Sequence, residues 1–536
     1  MLRKLVVAAV SCVFFASAAA AAPTSFSIGL DAAASAQPVS GRLLLFAVPV
    51  DAAKAMAKDG KIESVDASPF QPELVTVAAQ EVTHLMPGAT LGFDADVLAY
   101  PQAYSNLPAG DYAIQAVLDV NHDYNYGGRG AGDLISNVLQ VHLPADDAPE
   151  LVLTKALPEH QPWQIPQRYL SDTTRKHFDA ARSATQPLDF VSPALSAFHG
   201  RPIHMRGWVL LPPGYDATAR TTYPTVYFTH GFGGNLDSLS ANAAMVYAAI
   251  AEKQMPPMIW VFLDESGPTG THEFADSVNN GPWGKALTTE LIPWLETHYR
   301  MDAEPRGRFL QGHSSGGWAS LWLQVRYPKV FGGTWSTAPD PSDFHDFTGP
   351  DLYAPDANVY RKTDGTPWPL VRSKGKVIAT FEQFARMERV LGVNGGQMTS
   401  FEWVFSPRGE DGRPMPMFDR DTGAVDPEVA AYWRDNYDIA HRLQTQWPQL
   451  KPDLDGKIHV IVGTADTFYL DGAAHRLKAV LDGLHADAEV RFVPERTHGD
   501  LYVIGDDPQG LLKEIAWEMY HVARPAEARQ RATGGR

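Results

Sequence analysis

The sequence holds one cysteine in 536 residues, which excludes a disulfide scaffold and a cysteine zinc site. Positive charge is also scarce: 45 Lys and Arg stand against 62 Asp and Glu, for a formal net charge of −17. Nucleic-acid binding needs basic patches that neutralise phosphates, and docking on anionic lipid needs the same, so the charge argues against both. Beyond the N-terminus no apolar run is long enough to span a bilayer, and no stable membrane anchor is expected. Apolar residues nevertheless make up 44% of the chain and charged residues 20%, enough to build packed cores. The length suits two or three domains rather than one.

The cysteine has a local explanation. Arg3 and Lys4 precede an apolar run from residue 5 to about residue 19, followed by Ala20, Ala21 and Ala22. A basic start, a short apolar stretch and small residues predict a secretory signal peptide over residues 1–21, and hence a periplasmic or secreted protein. Cleavage would remove Cys12 with Arg3 and Lys4, taking the net charge from −17 to −19. The alternative, an uncleaved anchor, asks a short run to span the bilayer.

Residues 22–153 read as a β-sandwich-like accessory domain. Short apolar segments at 25–30, 41–48, 73–77, 111–118 and 138–143 suit half-buried strands, separated by Pro, Gly, Asn and Asp clusters. The segment is acidic, with 16 Asp and Glu against 5 Lys and Arg over residues 23–150. Residues 154–204 contain six prolines and read as a connector with a short helix near 173–181. From 205 to 524 strands alternate with helices, which predicts an α/β domain: a mostly parallel sheet with helices on both faces. Strands are expected at 205–211, 225–229, 258–263, 309–311, 457–462 and 489–493. Helices are expected at 240–253, 285–299, 318–327, 473–484 and 508–522. An insertion at about 340–455, with helical pieces at 381–390 and 428–447, reads as a lid or one wall of a pocket. Residues 525–536 read as a flexible tail.

Gly312-His-Ser-Ser-Gly316 carries the chemistry. An apolar strand precedes this Gly-x-Ser-x-Gly pattern and a helix follows at once, the context of a nucleophile elbow. The glycines index Ser314 as nucleophile, and Ser315 is better suited to give a backbone N–H. A serine hydroxyl needs a histidine to take its proton, and the histidine needs a carboxylate to fix its tautomer. Two later apolar strands end in a loop acid, Asp466, and a loop histidine, His498, in the chain order Ser, acid, His. Asp471 is the nearest substitute acid. An oxyanion needs donors as well. The strand ending in His230-Gly-Phe-Gly-Gly234 supplies a candidate N–H at Phe232 or Gly233, with Ser315 giving the other, while His230 braces the loop. Phe232 and Trp283 are the first candidates for substrate-pocket walls.

With these residues in view, the sequence resembles the putative-esterase branch of the α/β-hydrolases, which includes esterase D and the enterochelin esterase-like and feruloyl esterase-like proteins. His230-Gly-Phe-Gly-Gly234, Gly281-Pro-Trp283, Glu290-Leu-Ile-Pro293, Gly312-His-Ser-Ser-Gly316, Asp466 and His498-Gly-Asp500 carry the resemblance, over about residues 205–522. It implies ester hydrolysis through an acyl-enzyme without a cofactor, on a small-molecule or carbohydrate-linked ester. Acyl transfer by the same triad, or a non-catalytic binding protein on the same scaffold, are the alternative readings.

Asp119, Asn121 and Asp123 alternate like the start of a calcium loop, and Asp133 would complete a variant site. Tyr124 stands where an EF-hand has glycine and Gly130 where it has glutamate, so the competing reading is a polar loop of Asx turns.

Overall fold

The computed structural model describes residues 24–57, 61–159 and 161–527. The expected signal peptide at 1–21, with Cys12, lies outside the described residues, as does the tail beyond 527. Among the described residues no helix is long and apolar enough to cross a membrane.

The N-terminal strands join one nine-stranded sheet, rather than two separate ones, with Val39–Pro49 and Gly110–Asp119 paired at its centre. The sheet surrounds a core of Phe26, Ile28, Leu43, Leu45, Phe93 and Ile114. Residues 43–48, Leu-Leu-Leu-Phe-Ala-Val, lack polar alternation because both of their faces are buried. Leu43, Leu45 and Ala47 face that core, while Leu44, Phe46 and Val48 pack in a second cluster with Met387, Val390 and Leu391. This corrects the half-buried expectation: the second face is covered by Val50, Ala53 and Val65 of the same domain together with the insertion of the next. The strand expected at 73–77 begins later, at Thr76–Leu85. It is followed by Thr90–Asp94 and Ala99–Tyr100, where no strand was expected.

The second domain holds eight strands. They are β1 Thr185–Val191, β2 His204–Leu210, β3 Thr225–Thr229, β4 Ile259–Leu263, β5 Arg308–His313, β6 Gly333–Thr337, β7 Ile458–Gly463 and β8 Ala488–Val493. Their order across the sheet is β1-β2-β4-β3-β5-β6-β7-β8. β1 and β2 run antiparallel to their neighbours and the remainder are parallel. The α/β expectation holds. The boundary moves, however, because β1 lies inside the expected connector. Pro187 sits within it, tolerable because β1 is an edge strand. The connector's helix is also longer than expected, Asp172–Ala184.

In the parallel part, Thr229 pairs with Gly312 and His313 with Thr337. The loops after β3, β5, β6 and β7 therefore leave from one edge of the sheet, where this architecture gathers ligand sites. Between β6 and β7 the insertion folds as a hairpin, Pro369–Ser373 with Lys376–Thr380, and four helices: Phe381–Leu391, Gln397–Phe405, Pro427–Tyr437 and Ile439–Leu454. The helix expected at 428–447 is thus two. Asp438 breaks it and caps the second piece by accepting the His441 N–H at 2.8 Å. Trp318 and Trp322 of the helix after β5 pack with Phe344, Phe405 and Trp433 in one apolar cluster, which fixes the insertion over the elbow.

Candidate active site

Ser314 occupies a sharp turn between β5 and the helix Ser315–Arg326, with φ 61° and ψ −124°. Such angles strain a residue that carries a Cβ and are retained where surrounding structure enforces them. The flanking glycines are part of that enforcement. A Cβ on Gly312 would lie 2.0 Å from the Gly316 carbonyl oxygen, and one on Gly316 would lie 2.3 Å from that of Thr229. The turn places Ser314 at the helix N-terminus, where unpaired N–H groups and the helix dipole favour negative charge.

The acid and histidine arrive from the next two strand ends. His498 Nδ1 lies 2.8 Å from Asp466 Oδ2. Asp466 is fully buried, and its other oxygen accepts the N–H groups of Phe468 and Leu470 at 2.9 and 3.3 Å. A carboxylate fixed in this way can hold the imidazole in one tautomer. The His498 ring lies 4.4 Å from that of His313 and 5.0 Å from that of Phe468, so it is confined beside the elbow. Burial, and then the neighbouring His498, hold His313 well below the usual histidine range. It stays neutral and adds no competing positive charge. Asp471 pairs instead with Arg372 Nη2 at 2.7 Å.

The loop after β3 packs directly on the elbow: a Cβ on Gly231 would lie 3.1 Å from Ser314 Cβ. The Gly234 N–H is used within the turn, donating to Gly231 O at 3.0 Å. Phe232 and Gly233 thus carry the loop's candidate oxyanion donors, opposite the N–H of Ser315. His230 braces the loop as expected, with Nδ1 2.8 Å from Gly231 O and Nε2 3.1 Å from Asp264 Oδ1.

Asp340 escaped the sequence reading. The Ser315 hydroxyl donates to its Oδ2 at 2.6 Å, which removes Ser315 as a rival nucleophile. Burial pushes the Asp340 carboxyl up to about 6, with Ser315, His498, Asp466 and Ser314 all acting on it. Glu265 and Glu273, also fully buried, lie behind it. Burial first, and then mutual repulsion within the cluster, raise both well above the usual carboxylate range. A neutral pair there does not oppose charge on an oxyanion. The signal for Asp340 was its place just after β6, a strand whose Gly-Thr-Trp-Ser-Thr sequence lacks an aliphatic run.

Two hollows meet the site. Against Ser314 is a chamber of about 20 Å³, walled by Phe347, Phe384, Met398, Phe401 and Phe468. A larger cavity of about 820 Å³ is lined by Gly231, Phe232, His498 and Tyr502. Phe232 lines this cavity; Trp283 stacks on His272 at 3.6 Å and lines another cavity, of about 570 Å³, with His199, Arg206 and Asn280.

Carboxylate oxygens of Asp119, Asp123 and Asp133 lie within 4.8 Å of one another. The nearby Asn121 amide donates to Ala131 O at 3.0 Å. Asp119 already accepts the N–H groups of Asp123 and Tyr124, and Asp133 those of Val120 and Gly130. These bonds tie the loop together, and calcium, which takes six to eight oxygens, would need donors beyond one from each of the three carboxylates.

A profile described as Putative esterase matches residues 200–481. An esterase of Mycobacterium tuberculosis is 31% identical over 148 residues, 26% of this chain and 31% of the relative. An endo-1,4-beta-xylanase/feruloyl esterase of Xylanibacter ruminicola is 29% identical over 132 residues, 23% of this chain and 18% of the relative. The chain thus spans a third or less of these relatives' length. Among solved structures, an S-formylglutathione hydrolase from Agrobacterium tumefaciens is 14% identical with a TM-score of 0.35, covering 63% of this chain and 95% of that one. With the profile matching over half of its length, the chain belongs to the Putative esterase family.

Proposed function

We propose that the protein is an exported serine esterase that cleaves carboxylic esters through an acyl-enzyme. Ser314 attacks the ester carbonyl as His498 takes its proton, and the N–H groups of Ser315 and of Phe232 or Gly233 receive the oxyanion. His498 then protonates the departing alkoxide, and a water activated by the same histidine releases the acid. Asp466 orients His498 throughout. The observation that carries this reading is the 2.8 Å pair between His498 and a fully buried, doubly anchored Asp466 beside a serine at φ 61°.

The hollows support a substrate shape. The leaving oxygen must meet His498, so the alcohol belongs in the 820 Å³ cavity that His498 lines. The acyl group then faces the 20 Å³ chamber, room for roughly one water-sized group. A short acyl group on a small-molecule or carbohydrate alcohol fits both, and a relative named as a feruloyl esterase supports the carbohydrate-linked option. Export rests on residues 1–21 alone.

The test is hydrolysis of p-nitrophenyl esters of increasing acyl length by the wild type and by Ser314→Ala. Loss of at least about 10³-fold in kcat with an unchanged melting temperature is expected. A folded Ser314→Ala variant with wild-type turnover would refute the assignment.

A further inference from the structure

The N-terminal domain does more than cover the insertion. Its segment between the strands Gly110–Asp119 and Leu134–Ser136 projects a short helical turn, Tyr124–Gly127, into the second domain. Tyr126 on that turn reaches the loop after β3. Its hydroxyl donates to Gly234 O at 2.7 Å. Its ring meets the Phe232 ring edge-on at 4.9 Å. Its own carbonyl oxygen lies 3.5 Å from where a Cβ on Gly233 would stand. Three successive residues of the candidate oxyanion loop thus touch one side chain or its backbone, across 108 residues of sequence.

The turn is itself anchored on both sides. Behind it, Asp119 accepts the N–H groups of Asp123 and Tyr124, and the Tyr124 hydroxyl donates to Asp66 at 2.9 Å. In front, the Asn125 amide donates to Glu388 O and Gly392 O at 3.0 Å each, at the C-terminal end of the helix Phe381–Leu391. Arg42 of the N-terminal sheet caps that same helix end, donating to Val390 O at 2.9 and 2.8 Å.

From this geometry we infer that Tyr126 is a positioning residue for the oxyanion hole. The accessory domain completes the catalytic site by fixing the loop that carries Phe232 and Gly233. The physical need is plain. An oxyanion donor helps only when it is held at 2.7–3.1 Å from the place where charge develops. A glycine-rich loop, with Gly233 at φ 81°, has little stiffness of its own. A displacement of about 1 Å can cost on the order of 10² in rate. Tyr126 supplies the missing restraint on both the backbone and the ring side of the donor.

This inference rests on the esterase reading, and its test separates the two. Tyr126→Phe removes the hydroxyl and keeps the ring; Tyr126→Ala removes both. For each variant one measures kcat and KM on a short acyl ester, the rate of inactivation by a fluorophosphonate, and the melting temperature. Tyr126→Phe is expected to lower kcat about 3- to 10-fold and Tyr126→Ala about 10- to 100-fold. KM should change less than 3-fold in both, and phosphonylation should slow in parallel with kcat. A merely structural role would lower the melting temperature and leave kcat and phosphonylation at wild-type values in the folded fraction. That result would overturn the inference while Ser314→Ala still upheld the esterase. A fall in kcat/KM confined to KM would overturn it as well.

Discussion

Asp340 shows how much chemistry one buried carboxyl can hold. Its folded-state value of about 6 exceeds the ordinary 3.8, because burial disfavours the charged form. The folded protein therefore binds this proton more tightly than the unfolded chain does. That contribution is complete below about pH 4 and is lost as pH rises through about 6. Asp340→Asn keeps an acceptor for the Ser315 hydroxyl but cannot ionise. Its melting temperature should gain on the wild type between pH 4 and 7; parallel curves would contradict the assignment. Asp466→Asn is expected to lower kcat by about 10³- to 10⁴-fold, because an amide facing His498 Nδ1 no longer selects the productive tautomer. Gly312→Ala should cost at least about 2 kcal/mol in denaturant unfolding, since its Cβ meets a backbone oxygen that has no room to move. Ser314, Asp466 and His498 stood out in the sequence as candidates because each follows a strand candidate, in the chain order Ser, acid, His. Asp340 did not, because β6 is a buried strand of polar-looking residues, Thr334, Ser336 and Thr337, the last two donating their hydroxyls to Gly317 O and Gly312 O.

At the scale of elements, the insertion between β6 and β7 walls the chamber at Ser314. Its helices Phe381–Leu391 and Gln397–Phe405 bring Phe384 and Phe401 to the chamber at Ser314. Phe384→Ala should enlarge that chamber at the helix surface. The ratio of kcat/KM for a butyryl ester to that for an acetyl ester is expected to rise at least about 10-fold. An unchanged ratio would mean the acyl group lies elsewhere. The strong 3.6-residue pattern made Phe381–Leu391 readable in advance to within a residue. The edge strand β1 was hidden by Pro187 and by the proline-rich stretch around it, for an edge strand need donate to only one neighbour. The sequence did not announce the stacking of Trp283 on His272, because a tryptophan beside a helix start looks the same whether it faces a cavity or a buried histidine.

For the whole molecule, the two domains share one apolar cluster, in which Phe46 and Val48 of the N-terminal sheet meet Val390 and Leu391 of the insertion. Arg42, almost fully buried, ties its guanidinium to the end of the insertion's first helix and to Glu81 at 2.6 Å. Arg42→Ala would leave buried carbonyls unpaired, at an expected cost of about 1–3 kcal/mol in denaturant unfolding. No periodicity in either domain could announce a contact such as Tyr126 with Gly234, because it joins loops 108 residues apart whose motifs point to different roles. The most direct test of the account as a whole is to label the purified full chain with a fluorophosphonate and map the adduct by mass spectrometry. The account predicts a single adduct on Ser314, lost in His498→Ala. A folded protein with no adduct, or with one on another serine, would contradict it.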